Sequence, residues 1–417
     1  MRDPADAARA LAAEAALIAR GNGRAYGDAA LSRHCVLSTL KSDLIRSFDP
    51  ASGEITCEAG LLLADLLDFA VPRGFFPPVS PGTKFVTVGG MVAADVHGKN
   101  HHRAGCFSAH LNWIELLLPD GSTAIVSRTQ RPDLFAATCG GMGLTGIILQ
   151  ACFRLTPIET ALIRQETLRT RDLAETLERL EASADWTYSV AWVDSLARGP
   201  ALGRGIIQRG EHARREELGG RPATAGRRLQ RVPFDLPAHA LNRWTIRLFN
   251  EAYYRRARPG GALVDYDRYF YPLDALLDWN RLYGRRGFLQ YQCVVPKGEA
   301  MPALRALLEL SAGSGEGSFL SVLKLFGPQG IGPLSFPMDG CTLALDFPNR
   351  PATHALFAKF DEIVRRHGGR LYLAKDAHMS REMLAAGYPR LGEFVALRRS
   401  LADHGKLTSL QSERLGL

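Results

Sequence analysis

Three glycine-rich turns constrain this 417-residue chain more than any other feature. They read "RGNGRAYGD" (Arg20–Asp28), "SPGTKFVTVGG" (Ser80–Gly90) and "GGMGLTGI" (Gly140–Ile147), and short β-type runs separate them. A glycine lets the main chain approach a ligand without a Cβ in between. One such turn is ordinary. Three within about 130 residues predict a long, polyphosphate-bearing ligand laid across a sheet edge, its oxygens met by main-chain N–H groups. The first turn spaces its glycines G-x-G-x-x-x-G, and the following "DAALSRHCV" carries no apolar helix face, so the G-x-G-x-x-G dinucleotide fingerprint is excluded. Walker-type nucleotide binding fails too, because no G-K-[ST] follows any of the turns.

The runs between the turns set the fold class. "AALIARGNGRAYGD", "GEITCEAG", "KFVTVGGMVAADV", "WIELLLPDGSTAIV" and "GLTGIILQACFRLTP" read as strands with turns, and "LLADLLDFAVPRG" as an amphipathic helix. Pro119–Ser122 is a strand-to-strand turn. A second pattern starts near Ile158. There "WTYSVAWVDS", "GFLQYQCVVP", "SFLSVLKLFGP" and "CTLALDFP" alternate with helical "MPALRALLELSAG" and "ATHALFAKFDEIVRRHG". The expectation is an α+β protein with an antiparallel sheet covered by helices on one face. Its boundaries fall at 1–157, 158–369 and 370–417, the last stretch starting as a strand, turning helical and packing back on earlier chain.

Two sets of polar residues mark a site. "VHGKNHH" gathers His97, Lys99, Asn100, His101 and His102 directly after the second turn. If Met91–Asn100 were helical, His97 and His101 would share one face and suggest zinc, but Gly98 stands where a zincin glutamate would, and Lys99 disfavours a cation. No metal is expected. In the second half Gln290 and Gln292 share one strand face, while Lys324 and Lys375 sit in apolar β-type runs. A lysine there is seldom buried without a partner, so a polar pocket is expected.

Charge is uneven. Between Arg204 and Arg258 thirteen arginines and no lysine face five acids, a surplus of eight equal to the net charge of the whole chain. The segment reads as an arginine-rich loop, solvated and partly mobile at its centre, that attracts phosphate on a ligand or on an anionic membrane surface. No zinc-finger or helix-turn-helix signature accompanies it, so nucleic acid is not expected. Seven scattered cysteines without a C-x-x-C pair fit a reducing compartment. The acidic first residues lack an export signal's basic head, and apolar runs fall far short of the roughly 20 residues that span a bilayer. The expectation is a cytoplasmic chain with peripheral contact to the inner face of the plasma membrane.

The runs "ARGNGRAYGD", "PGTKFVTVGGMVAADVHGKNHH", "GGMGLTGII", "WNRLYGRRGFLQYQCVVP", "LKLFGP", "PLSFP" and "GGRLYLAKD" together resemble the vanillyl-alcohol-oxidase-type flavoproteins, most closely the branch that oxidises polyprenylphosphoryl ribose. "VHGKNHH" and "FLQYQ" are specific to that branch; the glycine turns identify only the superfamily. The resemblance implies a two-part FAD-binding domain with an inserted substrate domain. It implies FAD held by Arg20, Gly21, Asn22, Gly23, Arg24, Ala25, Tyr26 and Gly27, by Gly82, Thr87, Val88, Gly89 and Gly90, by His97, Gly98, Lys99 and Asn100, and by Ile148 and Tyr372. Arg24 replaces the histidine through which other members bind flavin covalently, so the FAD is expected to be non-covalent. Lys375, His97 and Gln292 would surround the reacting carbon with Lys324 and Lys99 also lining the pocket, lysine acting either as base or as a cation stabilising developing charge.

The implied reaction oxidises the 2′-hydroxyl of a polyprenylphosphoryl-β-D-ribose, with a short-chain reductase completing an epimerisation to arabinose. Oxidation of another sugar or alcohol, or a non-catalytic polyphosphate- or membrane-binding role, stands as an alternative. Several positions depart from the branch. The start lies close to the first turn, which suggests a shortened flanking element, Met142 replaces an asparagine, and Ala344 replaces a pocket cysteine beside Thr342.

Overall fold

The computed structural model describes residues 1, 3–219, 230–237 and 240–417. Two antiparallel sheets organise it. The first has five strands in the order Ile45–Asp49, Glu54–Glu58, Ile147–Arg154, Leu111–Leu117, Thr123–Ser127. Its core packs Ile55, Ile114, Ala151 and Phe153 against helix Leu63–Ala70, which buries Leu63, Leu66, Leu67 and Ala70 at three- and four-residue spacing. A parallel pair, Leu17–Arg20 with Cys35–Ser38, lies beside this sheet and delivers the first glycine turn.

The second sheet has eight strands, in the order Gly260–Asp265, Leu162–Thr170, Gly205–His212, Tyr188–Val193, Ser321–Phe326, Gly340–Pro348, Phe288–Pro296, Arg370–Leu371. Side chains alternate across a strand, so each run feeds both faces. Tyr291, Cys293, Leu323, Leu343 and Leu345 point into a core closed by helices Leu173–Glu181, Ala300–Ser314 and Pro351–Arg366. Gln290, Gln292, Val322, Lys324, Thr342 and Ala344, the residues between them, face a cavity instead. One face is therefore core and the other is the roof of a site.

The C-terminal stretch ties the two sheets together. Strand Arg370–Leu371 pairs with Phe288–Pro296 at the edge of the eight-stranded sheet. The chain then returns through helices Arg381–Gly387, Leu391–Ser400 and Leu410–Leu415. Tyr26 N donates to Ala374 O at 2.9 Å, and the Arg414 guanidinium bridges Asp28 (2.8 Å) and Asp376 (2.7 Å).

Three sequence expectations need correction. "KFVTVGGMVAADV" is not a strand: Val88–Ala93 is a helix, capped by Thr87, whose hydroxyl accepts from Gly90 N. Burial of Val88, Met91 and Val92 in the first core outweighs the poor helix propensity of two glycines. That helix ends at Ala93, Asp95 turns at φ +39°, and a new one begins only at His101, so His97 and His101 share no helix face. Lys375 ends a 3-10 turn, Leu373–Lys375, and lies beyond the strand. The arginine-rich segment is not a loop throughout. Gly205–His212 is an interior strand and Arg243–Arg256 a helix. The reading of a mobile centre falls on 220–229, outside the described residues.

Candidate active site

A cavity of about 700 Å³ opens between the two sheets, within the size range of small-molecule sites. Its floor is built from the first turn. There Gly23 lies at φ +61°, and among the described residues none of the main-chain N–H groups of Gly21, Asn22, Gly23, Arg24 and Ala25 has a protein acceptor. Unpaired N–H groups of this kind need an anion or water. The turns are interlocked. A Cβ at Gly21 would lie 2.1 Å from Thr87 Oγ1, and one at Gly89 would lie 2.8 Å from the Ala59 Cβ. Asn22 Nδ2 donates to Phe85 O at 2.8 Å, binding the first turn to the second.

Of the residues expected to hold the cofactor, Arg20, Gly21, Asn22, Gly23, Arg24, Ala25, Tyr26, Gly82, Thr87, Gly89, Gly90, His97, Gly98, Lys99, Ile148 and Tyr372 all line the cavity. Gly27, Val88 and Asn100 stand behind its wall. Gly27 packs so closely that a Cβ would meet Asp376 O at 2.1 Å; Val88 is in the core; Asn100 Nδ2 donates to Pro78 O at 2.8 Å. Met142, on the third turn, sits at φ +54°, a left-handed conformation that asparagine or glycine adopts at lower cost.

All five residues expected to carry chemistry line this one cavity. Gln292 Nε2 lies 3.2 Å from His97 Nε2 and 3.3 Å from Thr342 Oγ1, and Thr342 in turn donates to Cys293 O at 2.8 Å. Phe326, Phe336 and Tyr372 enclose the imidazole at ring separations of 4.7, 5.5 and 5.1 Å. Burial, reinforced by Lys324, holds His97 far below its ordinary pKa, so the ring is neutral. His101 and His102 do not reach this point. Gly327 N donates to His101 Nδ1 at 3.1 Å, and His102 Nε2 lies 2.9 Å from Trp186 O. Among the described residues no group of three His, Cys, Asp or Glu side chains could hold a metal ion.

Three lysines share the cavity. Lys99 Nζ donates to Tyr269 O and lies 4.2 Å from that ring's centre; Lys375 Nζ lies 3.8 Å over the Tyr26 ring. Burial pushes Lys99 down to about 7, with Lys324 second, and Lys324 down to about 8, with Lys375 second. Lys375 is also lowered by burial, against the attraction of Asp346. Asp346 is fully buried, and burial raises its pKa. Its Oδ1 accepts from Gln290 Nε2, while Oδ2 has no hydrogen-bond partner among the described residues. Sequence reasoning passed over this residue although "CTLALDFP" carried the signal, an acid in an apolar strand. It also missed Trp192, Gln208, Tyr253 and the stretch Leu276–Asn280, which line the cavity from elements distant in sequence.

The donor set suits FAD. Unpaired N–H groups and Arg20 and Arg24 offer a pyrophosphate site, and the lysine-rich roof offers a place for an electron-rich ring. Comparison with known proteins agrees. Residues 3–127 match the FAD binding domain family. Decaprenylphosphoryl-β-D-ribose oxidase of Mycolicibacterium smegmatis is 38% identical over 96% of this chain and 89% of its own length. An uncharacterised protein from the mprA 5′ region of Streptomyces coelicolor is 38% identical over 86% of this chain and all of its own. D-lactate dehydrogenase of Anaerostipes hadrus is 29% identical over only 34% of this chain. With near-complete coverage by the first of these and the glycine-turn cradle in place, the chain belongs to the decaprenylphosphoryl-β-D-ribose oxidase family of FAD-dependent oxidoreductases.

Proposed function

We propose that this chain oxidises the 2′-hydroxyl of a polyprenylphosphoryl-β-D-ribose to the 2′-keto form, the first half of an epimerisation that a short-chain reductase completes. The observation that carries this reading is that Lys99, Lys324, Lys375, His97 and Gln292 line the same cavity as the glycine-turn cradle. In this reading 1–157 and 370–417 hold the cofactor, and 158–369 shape the substrate site. FAD, held by the glycine turns, would supply a two-electron acceptor for a carbinol hydride. The chain supplies everything else. Gln292 and neutral His97 orient the sugar hydroxyl, and a lysine amine whose pKa burial has lowered accepts its proton. The remaining lysines, still cationic, would favour negative charge developing in the cavity and on the substrate phosphate. Ala344, cross-strand partner of Gln292, leaves more room at the roof than a cysteine would.

Anaerobic mixing of the purified yellow protein with a short-chain polyprenylphosphoryl ribose tests the reading. Flavin absorbance should bleach, acid denaturation should release free FAD, and Lys375→Ala should slow bleaching by about 10²–10⁴-fold with the oxidised flavin spectrum retained. Bleaching by a different sugar alcohol alone would move the substrate assignment. An unbleached flavin with every alcohol would make the protein a non-catalytic binder.

A further inference from the structure

Ten large apolar side chains are exposed among the described residues, and five of them, Phe234, Trp244, Leu248, Phe249 and Tyr253, fall within twenty residues of chain. Four lie on helix Arg243–Arg256. The helix is well founded. Asn242 caps it, accepting from Trp244 N and Thr245 N, and its inner side buries Ile246 and Asn250, whose amide donates to Asp194 at 2.8 Å. Arg204 joins the helix to the sheet by pairing with both Asp194 (2.7 Å) and Glu251 (2.6 Å). The outer side is the reverse of what water favours. Trp244 is 64% exposed and Leu248 72%, one helical turn apart. Around them stand the exposed arginines 243, 247, 255, 256 and 258, against the single acid Glu251, which is already paired.

The same helix also reaches the site through Phe249 and Tyr253. Phe249 stacks on Tyr253 with ring planes 9° apart, and Tyr253 meets Trp192 edge-on at 5.0 Å. Tyr253 and Trp192 both line the cavity. The helix thus carries both the exposed pair Trp244 and Leu248 and, in Tyr253, part of the cavity lining.

We propose that the outer face of helix Arg243–Arg256 docks on an anionic phospholipid surface, Trp244 and Leu248 entering the headgroup layer while the arginines contact lipid phosphate. Tryptophan and leucine flanked by arginine are the composition of helices that lie in a membrane interface, and near an anionic surface each basic residue adds attraction that salt screens. The same face is ill suited to a second copy of the chain. A two-fold contact sets identical patches against each other and would bring five arginines onto five arginines. No helix among the described residues is long and apolar enough to cross a membrane, so the contact is peripheral. Delivery of a lipid-linked substrate along the aromatic row rests on the proposed function; the docking itself does not.

The test uses the FAD-loaded full chain in co-sedimentation with vesicles of equimolar phosphatidylglycerol and phosphatidylcholine, and with phosphatidylcholine alone. Binding to the anionic vesicles is expected, falling as salt rises. The double variant Trp244→Ser, Leu248→Ser should lower the partition coefficient on the order of tenfold or more, while flavin content and bleaching by the soluble short-chain substrate stay as in the wild type. Arg247→Gln with Arg256→Gln should weaken binding to anionic vesicles specifically. Absence of wild-type binding, or equal binding by the double variant, overturns the proposal. So does a wild-type dimer that the double variant dissolves, which would give the face to a second copy. Loss of bleaching in an otherwise vesicle-binding protein would overturn only the proposed reaction.

Discussion

Lys99, Lys324 and Lys375 lie in one cavity, and among the described residues none has a carboxylate within salt-bridge distance. Desolvation and mutual repulsion both favour loss of a proton, so the cluster titrates well below the ordinary lysine pKa of 10.5. A lysine accepts a proton only as the neutral amine, the form that dominates above its pKa. The rate of flavin reduction by substrate should therefore rise with pH through the interval around 7 to 8 set by Lys99 and Lys324. The apparent pKa belongs to the cluster rather than to one residue. Stopped-flow bleaching across pH checks this, and a rate that falls with pH would assign all three lysines to charge stabilisation. Stability follows the same sign. Between about 8, the folded value for Lys324, and 10.5, its unfolded value, the unfolded chain holds the extra proton, so this contribution grows as pH rises and is lost as pH falls through 8.

At the scale of elements, helix Val88–Ala93 and the first glycine turn are one construction. Thr87 caps the helix with the same hydroxyl that Gly21 packs against. A Cβ at Gly21 must displace it, so Gly21→Ala should weaken FAD retention by about tenfold or more, read by flavin release on dilution, with small effect on the sheet behind. Adding Thr87→Ala removes the clashing oxygen and should restore part of the affinity, at a cost of about 1 kcal/mol for the lost cap. Loss of FAD binding undiminished by the second change would show that Gly21 acts by some route other than this contact. Local sequence hid the helix, because valine, threonine and paired glycine favour strand or turn until burial of Val88, Met91 and Val92 is counted. Helix Arg243–Arg256 was hidden differently. Asn242 and Thr245 carry a legible cap, but the arginines around them read as a solvated loop.

For the whole molecule, the last residues fasten the cofactor floor to the substrate roof. Arg414 donates to both oxygens of Asp28, to Asp376 and to Met379 O, and Asp376 is itself buried. Asp376 O also bounds Gly27 of the first turn. Arg414→Ala leaves the buried Asp376 carboxylate without its cation, and should cost about 2–3 kcal/mol in urea-unfolding stability. FAD should dissociate at lower denaturant than the midpoint, because the first turn loses its backing before the sheets open. Coincident loss of flavin and fold would show that the fastening acts on the molecule as a unit.

The glycine turns, the strand runs with alternating glutamines and the lysines set in apolar segments were determined by sequence alone, because period-two alternation and missing side chains are properties of adjacent residues. From them follow a cradle for a polyphosphate-bearing ligand, the antiparallel sheet and a polar pocket, while the assignment of that ligand as FAD came from the resemblance. Which strands neighbour one another was not determined there. Only the packed chain brings Gln292, Thr342 and Lys324 from three strands to one wall, sets His97 against Gln292 across 195 residues, and leaves His101 bound to a main-chain amide instead. Such contacts depend on long-range burial and sheet order, which no short window of sequence contains.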